Sequence, residues 1–246
     1  MSIEDFDNYT SQIIEVCNYI YLHVLGEPLL HPNFNVFLDI LDKKDFKLQL
    51  VTNGTLLNKY PNILNHKCLR KLSISLHSVN NIETDDAYFD TINYLIENNN
   101  GTNIELRFYD KNNLDEKLNK YLNYLDSKYN LIQSKKKNSY ELKKNVFVYF
   151  EELFKWPDIN DEINTNNGRC HGLIDQLAIL CNGDVTSCCL DTKGINTFGN
   201  LKKNTLVDIL NSTQYLDALK AMKENKFILK LCKHCTYHSR FDRNNN

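Results

Sequence analysis

Apolar and polar positions along this 246-residue chain fall into helical and strand patterns that take turns over its first two-thirds. An opening helix is predicted from Glu4 to Val16, with Phe6, Ile13 and Ile14 toward a core. Tyr19 to Leu25 is dense in aromatic and β-branched residues and reads as a strand. After the turn Gly26-Glu27-Pro28, Phe34, Phe37, Leu38 and Leu41 recur at helical spacing within Asn33 to Lys43. Lys47 to Thr52 is the next strand and closes on the turn dipeptide Asn53-Gly54; Lys71 to Leu76 and Asn103 to Tyr109 follow as strands. Tyr88 to Glu97 and Leu114 to Lys128 read as helices that cover them. Alternation of this kind predicts an α/β fold with a parallel sheet.

Beyond Ser127 the rhythm changes. A lysine-rich stretch, Lys135 to Lys144, precedes a strand from Asn145 to Phe150, and Trp156-Pro157 then leads toward a cysteine region that begins near Gly168. The C-terminal part reads as a hairpin, Gln176 to Leu180 and Asp184 to Ser187 across Cys181-Asn182-Gly183, followed by one helix from Leu206 to Lys223. The expected organisation is a parallel-sheet core over 1–135, a linker with one strand over 136–165, a small cysteine-bearing α+β domain over 166–240 and a disordered tail over 241–246.

Charge changes this picture little. A formal net charge of -2 and a pI near 6.4 give no electrostatic reason to expect nucleic acid, and Lys135-Lys136-Lys137 reads as solvated surface. No stretch approaches the roughly 18 consecutive apolar residues of a membrane span. The segment Met1-Ser2-Ile3-Glu4-Asp5 is acidic where a signal peptide is basic, so the expected compartment is the cytoplasm. In a reducing compartment eight cysteines point to metal ligands and buried thiols before disulfides.

The candidate chemistry lies in two places. Cys232 and Cys235 form a C-x2-C pair, and Cys170 and Cys188 can close a site with them; soft thiolates suit an iron–sulfur core or zinc. Cys189 competes with Cys188, because adjacent strand residues point to opposite faces. Cys181 reads as a free thiol near a turn, and Cys17 and Cys68 as structural. The second place is the set of strand ends Gly26-Glu27-Pro28, Thr52-Asn53-Gly54 and Ser73-Ile74-Ser75, where α/β folds bind ligands. Glycine permits close backbone approach there, and Glu27 can accept from an ammonium group. His31 and His77 lie toward the same ends and read as surface or hydrogen-bonding residues.

Taken together and in order, these segments resemble the radical S-adenosylmethionine enzymes that carry a C-terminal SPASM or shorter twitch auxiliary-cluster domain. The resembling stretches are Tyr21 to Pro32, Val51 to Leu57, Leu72 to His77, Gly183 to Cys189, Phe198-Gly199-Asn200, Thr205 to Asn211 and Cys232-Lys233-His234-Cys235. The resemblance implies a partial (β/α) barrel lacking its first strand. It places the methionine ammonium of S-adenosylmethionine at Gly26, Glu27 and Pro28, and ribose or carboxylate contacts at Asn53, Ser75 and, more weakly, Arg107. It also implies one auxiliary 4Fe-4S cluster on Cys170, Cys188, Cys232 and Cys235, with Cys188 as the position that matches the family hairpin.

The family's C-x3-C-x2-C loop, which leaves one iron of a catalytic cluster open to the cofactor, is absent from the sequence, and no other trio replaces it. The expectation is that Met1 stands near the helix that follows that loop, through an internal gene start, a disrupted gene or a short form completed by a partner. The strand from Tyr19 would then be an uncovered edge. The resemblance implies reductive cleavage of S-adenosylmethionine and radical modification or oxidation of a peptide or a small alcohol, with an electron donor such as flavodoxin or ferredoxin, and a chain inactive by itself. The alternatives are a non-catalytic iron–sulfur or partner protein, and a structural zinc site with His234 or His238 in reserve.

Overall fold

A computed structural model describes residues 1–76 and 86–242; His77 and residues 243–246 of the expected tail lie outside them. The chain forms two compact units, Cys17–Leu153 and Met1–Val16 together with Phe154–Asn246.

The chain begins with helix α1 (Ile3–Ile13), whose Ser2 caps the Asp5 N–H at 3.0 Å. The Cys17–Leu153 unit then runs β1 (Tyr19–Leu22), α2 (Phe34–Lys43), β2 (Lys47–Thr52), β3 (Leu69–Ser75), α3 (Asp86–Glu97), β4 (Asn103–Tyr109), α4 (Glu116–Tyr129), β5 (Ile132–Gln133), β6 (Ser139–Lys143) and β7 (Val146–Glu151). The strands make one seven-stranded sheet in the order β1-β2-β3-β4-β7-β6-β5. β1, β2, β3, β4 and β7 are parallel, and β5 and β6 return antiparallel at one edge. This is a mixed α/β fold on a parallel sheet, as the alternation predicts. β1 is the opposite edge and leaves Tyr19 and Tyr21 exposed.

The two faces of this sheet differ in chemistry. Leu48 and Leu50 of β2, Leu72 and Ile74 of β3, Ile104, Leu106 and Phe108 of β4, and Val146, Val148 and Phe150 of β7 are all buried and alternate with the other face. The crossover helices bury rows to match: Phe34, Phe37, Leu38 and Leu41 of α2, and Leu118, Tyr121 and Leu125 of α4. The opposite face carries Lys71, Ser73 and Ser75 on β3, Glu105, Arg107 and Tyr109 on β4, and Tyr149 and Glu151 on β7. Sequence alternation in β4 thus separates a core from a polar surface.

In the other unit β8 (Ala178–Ile179), β9 (Asp184–Thr186) and β10 (Thr197–Asn200) form an antiparallel sheet in the order β10-β9-β8. Helices α5 (Leu206–Leu210), α6 (Thr213–Lys223), α7 (Lys230–His234) and α8 (Ser239–Asp242) follow. The single helix expected from Leu206 to Lys223 is two, because Ser212 caps Tyr215 N–H at 3.3 Å and restarts the chain as α6. The linker expected over 136–165 holds two strands, β6 and β7; the lysines that flank β6 hide it in the sequence.

Helix α1 belongs to this unit. Tyr9 is 2 % exposed in a cluster with Leu173, Val185, Phe198, Leu201, Leu206, Ile209, Tyr215 and Ala218. Gln12 Oε1 accepts the Leu206 N–H at 2.8 Å, and Lys202 pairs with Asp5 at 3.0 Å. Gly183, with φ +93°, lets the β8–β9 turn pass over the Tyr9 ring; a Cβ there would lie 2.6 Å from its hydroxyl oxygen. Truncating Tyr9 to Ala is expected to cost this unit about 3–5 kcal/mol, the range for a large buried aromatic. Urea unfolding followed by the fluorescence of Trp156, the single tryptophan, which lies in the same unit, measures it.

Candidate functional site

At the C-terminal end of β1 the chain turns through Gly26, with φ +81°, and presents Glu27 as the cap of a short turn over Pro28–Leu30. Glu27 Oε1 accepts from the Leu29 N–H at 3.0 Å and from the Thr52 hydroxyl at 2.7 Å. Its Oε2 accepts from the Asn53 N–H at 2.7 Å. One carboxylate therefore joins the loop after β1 to the loop after β2. A carboxylate offers about four acceptor positions, so a further donor still has a place on Oε2.

The second loop is held as firmly. Thr52 Oγ1 accepts the Gly54 N–H at 3.0 Å, and Asn53 Oδ1 accepts from the N–H and hydroxyl of Thr55 at 3.0 and 2.8 Å. The Tyr88 hydroxyl donates to the Asn53 carbonyl at 2.9 Å; burial first, and then the charge of Glu27, push its pKa up. Gly54 is required here, since at φ +81° a Cβ would lie 2.9 Å from Ile74 and 3.1 Å from the Tyr88 oxygen.

Ser75 and Arg107 are register partners on β3 and β4. The Arg107 guanidinium donates to the Tyr109 hydroxyl at 2.6 Å and pairs with Glu151 at 3.2 Å. Desolvation and then the charge of Arg107 hold the pKa of His23 below its usual value, which keeps that imidazole neutral. Lower on the same face Glu105 takes Lys71 at 2.9 Å and the Ser73 hydroxyl at 3.3 Å. Tyr88 and Glu151 were beyond sequence reasoning, because each reaches the site from an element more than 30 residues away in the chain. His31 accepts the Asn33 N–H at 3.2 Å and packs on Phe37, a local turn role.

The second site lies in the C-terminal unit. Cys170 precedes a tight turn in which the Gly172 N–H points at its sulfur at 3.4 Å. A Cβ on Gly172 would lie 3.6 Å from both Cys170 Sγ and Cys188 Cβ, so the backbone passes close between two of the cysteines. Cys188 ends the segment after β9, Cys232 lies in α7, and Cys235 caps that helix with its N–H on the Cys232 carbonyl at 3.3 Å.

Burial raises all four thiols, Cys188 to about 12. Cys189, then Cys170 and Cys235, push Cys188 up further, and Cys188, Cys170 and Cys235 do the same to Cys232. Side chains from three segments therefore lie close together around Cys232. Cys189 feels Cys170 and Cys235 as Cys188 does, and differs in that Cys188 also acts on Cys232.

The remaining cysteines separate from this group. Cys17 and Cys181 are exposed, and Cys68 is buried with its N–H on Asp42 at 2.6 Å. His234 Nδ1 donates to the Asp161 carbonyl at 2.7 Å, and His238 bonds Asn164 at 3.0 Å. Among the described residues no group of three or more His, Cys, Asp or Glu is arranged to hold a single metal ion. None of the described helices is long and apolar enough to cross a membrane.

Residues 170–236 match the family model of SPASM, an iron–sulfur cluster-binding domain, and that span encloses all four cysteines. The fold is similar to BtrN in complex with AdoMet and 2-DOIA, at a TM-score of 0.60 and 15% identity over 96% of this chain and 80% of that one. It is similar also to native anSMEcpe with bound AdoMet and Cp18Cys peptide, at 0.62 and 12% over 100% and 84%. Streptococcus suis SuiB bound to S-adenosylmethionine follows at 0.50 and 13% over 99% and 67%. No curated protein matches the chain in sequence.

In the metal-free chain, alkylation at about pH 8 is expected to label Cys17 and Cys181 first, since both are exposed to the reagent. Labelling of Cys170, Cys188, Cys232 and Cys235, whose thiols burial pushes up, should lag behind and rise with pH. Peptide mass mapping across pH checks this order.

Proposed function

We propose, from a chain that carries a SPASM iron–sulfur cluster-binding domain over residues 170–236 and shares its fold with radical S-adenosylmethionine enzymes, that its two units hold two groups of that chemistry. The Cys17–Leu153 unit binds S-adenosylmethionine at the strand ends. The other unit holds one four-iron cluster on Cys170, Cys188, Cys232 and Cys235. The observation that carries this reading is that all four cysteines fall inside the matched span, with the Gly172 backbone passing between Cys170 and Cys188 and Asn196 joining the segment of Cys188 to Cys232.

The donor chemistry fits a cluster. Four thiolates complete the coordination of a four-iron core, and backbone N–H groups near Cys170, Cys188 and Cys235 favour their ionised form. When bound, such a cluster supplies a one-electron acceptor or a point at which substrate is oriented.

For the cofactor, the acceptor position left on Glu27 Oε2 receives the methionine ammonium, Asn53 and Ser75 meet ribose or carboxylate, and Arg107, fixed by Glu151 and Tyr109, is the weaker contact. AdoMet bound to BtrN and anSMEcpe supports this assignment. The 2-DOIA and Cp18Cys peptide of those proteins favour a small hydroxylated molecule or a peptide as substrate class. Since the sequence has no C-x3-C-x2-C, the residues of this chain hold the cofactor without opening it, and cleavage requires cysteines from outside the sequence.

The test uses the anaerobically reconstituted chain with S-adenosylmethionine and a strong reductant. Calorimetry is expected to show saturable binding, weakened roughly 10- to 100-fold in Glu27→Gln, because a hydrogen bond to a charged group is worth about 1.5–3 kcal/mol. No 5′-deoxyadenosine should be released. Equal affinity in Glu27→Gln removes the assignment of Glu27, and turnover by the chain alone removes its dependence on outside cysteines.

A further inference from the structure

Asn196 is a buried amide between two of the cysteine-bearing segments. Its Nδ2 donates to the Ser187 hydroxyl at 3.1 Å and points at Cys232 Sγ at 3.7 Å. Its Oδ1 accepts the Leu231 N–H at 3.2 Å, and its own N–H is fixed on Asp191 Oδ2 at 2.7 Å. Ser187 precedes Cys188 and Leu231 precedes Cys232, so one side chain bridges the segment after β9 to helix α7, with each bond next to a proposed ligand. An amide buried this far is costly unless its donors and acceptor are met, and here they are met.

The sulfur donors differ in kind. The N–H groups near Cys170, Cys188 and Cys235 are backbone, from His171 and Gly172, from Leu190, and from Tyr237 and His238. The donor at Cys232 belongs to a side chain. A hydrogen bond to a ligand sulfur stabilises the more negative, reduced cluster and so raises its potential. The Asp191 carboxylate acts on Cys232 in the opposite sense.

We infer that Asn196 is a positioning residue for the cluster: it locks Cys232 against the Cys188 segment and raises the cluster's reduction potential through its Nδ2–H. This rests on the four-iron reading above.

The test is an EPR-monitored redox titration of the anaerobically reconstituted full chain beside Asn196→Leu and Asn196→Asp, with iron and sulfide counted in each. Both variants are expected to shift the midpoint to more negative potential, Asn196→Asp further because a second carboxylate replaces the donor. A second measurement needs no variant. With asparagine side-chain amides labelled with 15N, pulsed EPR of the reduced wild-type chain should show a weakly coupled nitrogen. A brown wild-type chain without that coupling, or variants with full iron and unchanged potential, overturns the role of Asn196 alone. A colourless wild-type chain overturns the cluster reading and this inference with it.

Discussion

Partly buried thiols gathered at one place cannot all ionise cheaply without positive charge among them. In the C-terminal unit Cys170, Cys188, Cys232 and Cys235 stand in that relation, and much of the unit follows from it. A turn with glycine at position 172 lets the chain pass close to two sulfurs, and a short helix sets Cys232 and Cys235 on one turn. Asn196 and Asp191 fix the loop between them, with Asp191 buried and accepting the N–H groups of Ile195 and Asn196 at 2.8 and 2.7 Å. Without a core, ionising these thiols meets desolvation and mutual repulsion. Metal binding turns that cost into affinity and releases the thiol protons.

The parallel-sheet unit depends on a different anion. Glu27 is stabilised by two backbone N–H groups and a hydroxyl drawn from two loops, which fixes the strand ends before any ligand arrives. Strand alternation does the rest: one face of β2, β3, β4 and β7 is buried aliphatic and aromatic core, and the other carries Ser75, Arg107, Tyr109 and Glu151. Each charge on that face has a fixed counterpart, Lys71 with Glu105 and Arg107 with Glu151. Polar groups held in this way keep their direction, which a binding surface needs.

Much of this was legible in the sequence where local pattern and fold agree. Lys47–Thr52 and Asn103–Tyr109 have the bounds their alternation predicts, and the Gly26-Glu27-Pro28 and Asn53-Gly54 turns sit at strand ends as expected. What was not legible is non-local or masked by charge. Nothing around Tyr9 says that α1 packs with Val185 and Phe198. β6 lies among lysines, the usual character of strands near a sheet edge, and so reads as solvated surface. Ser212 breaks one apolar periodicity into two helices through a single cap. Asn196 carries no sequence signal, because its meaning comes from Ser187 and Cys232, which lie on either side of it in the chain and meet only in the fold.

Native mass spectrometry of the full chain, purified without air, weighs what Cys170, Cys188, Cys232 and Cys235 hold. The expected result is a mass increment of four irons and four sulfides on each chain, lost when Cys232 is replaced by Ser. A single metal ion on each chain, or an unchanged mass after reconstitution with iron and sulfide, would contradict it.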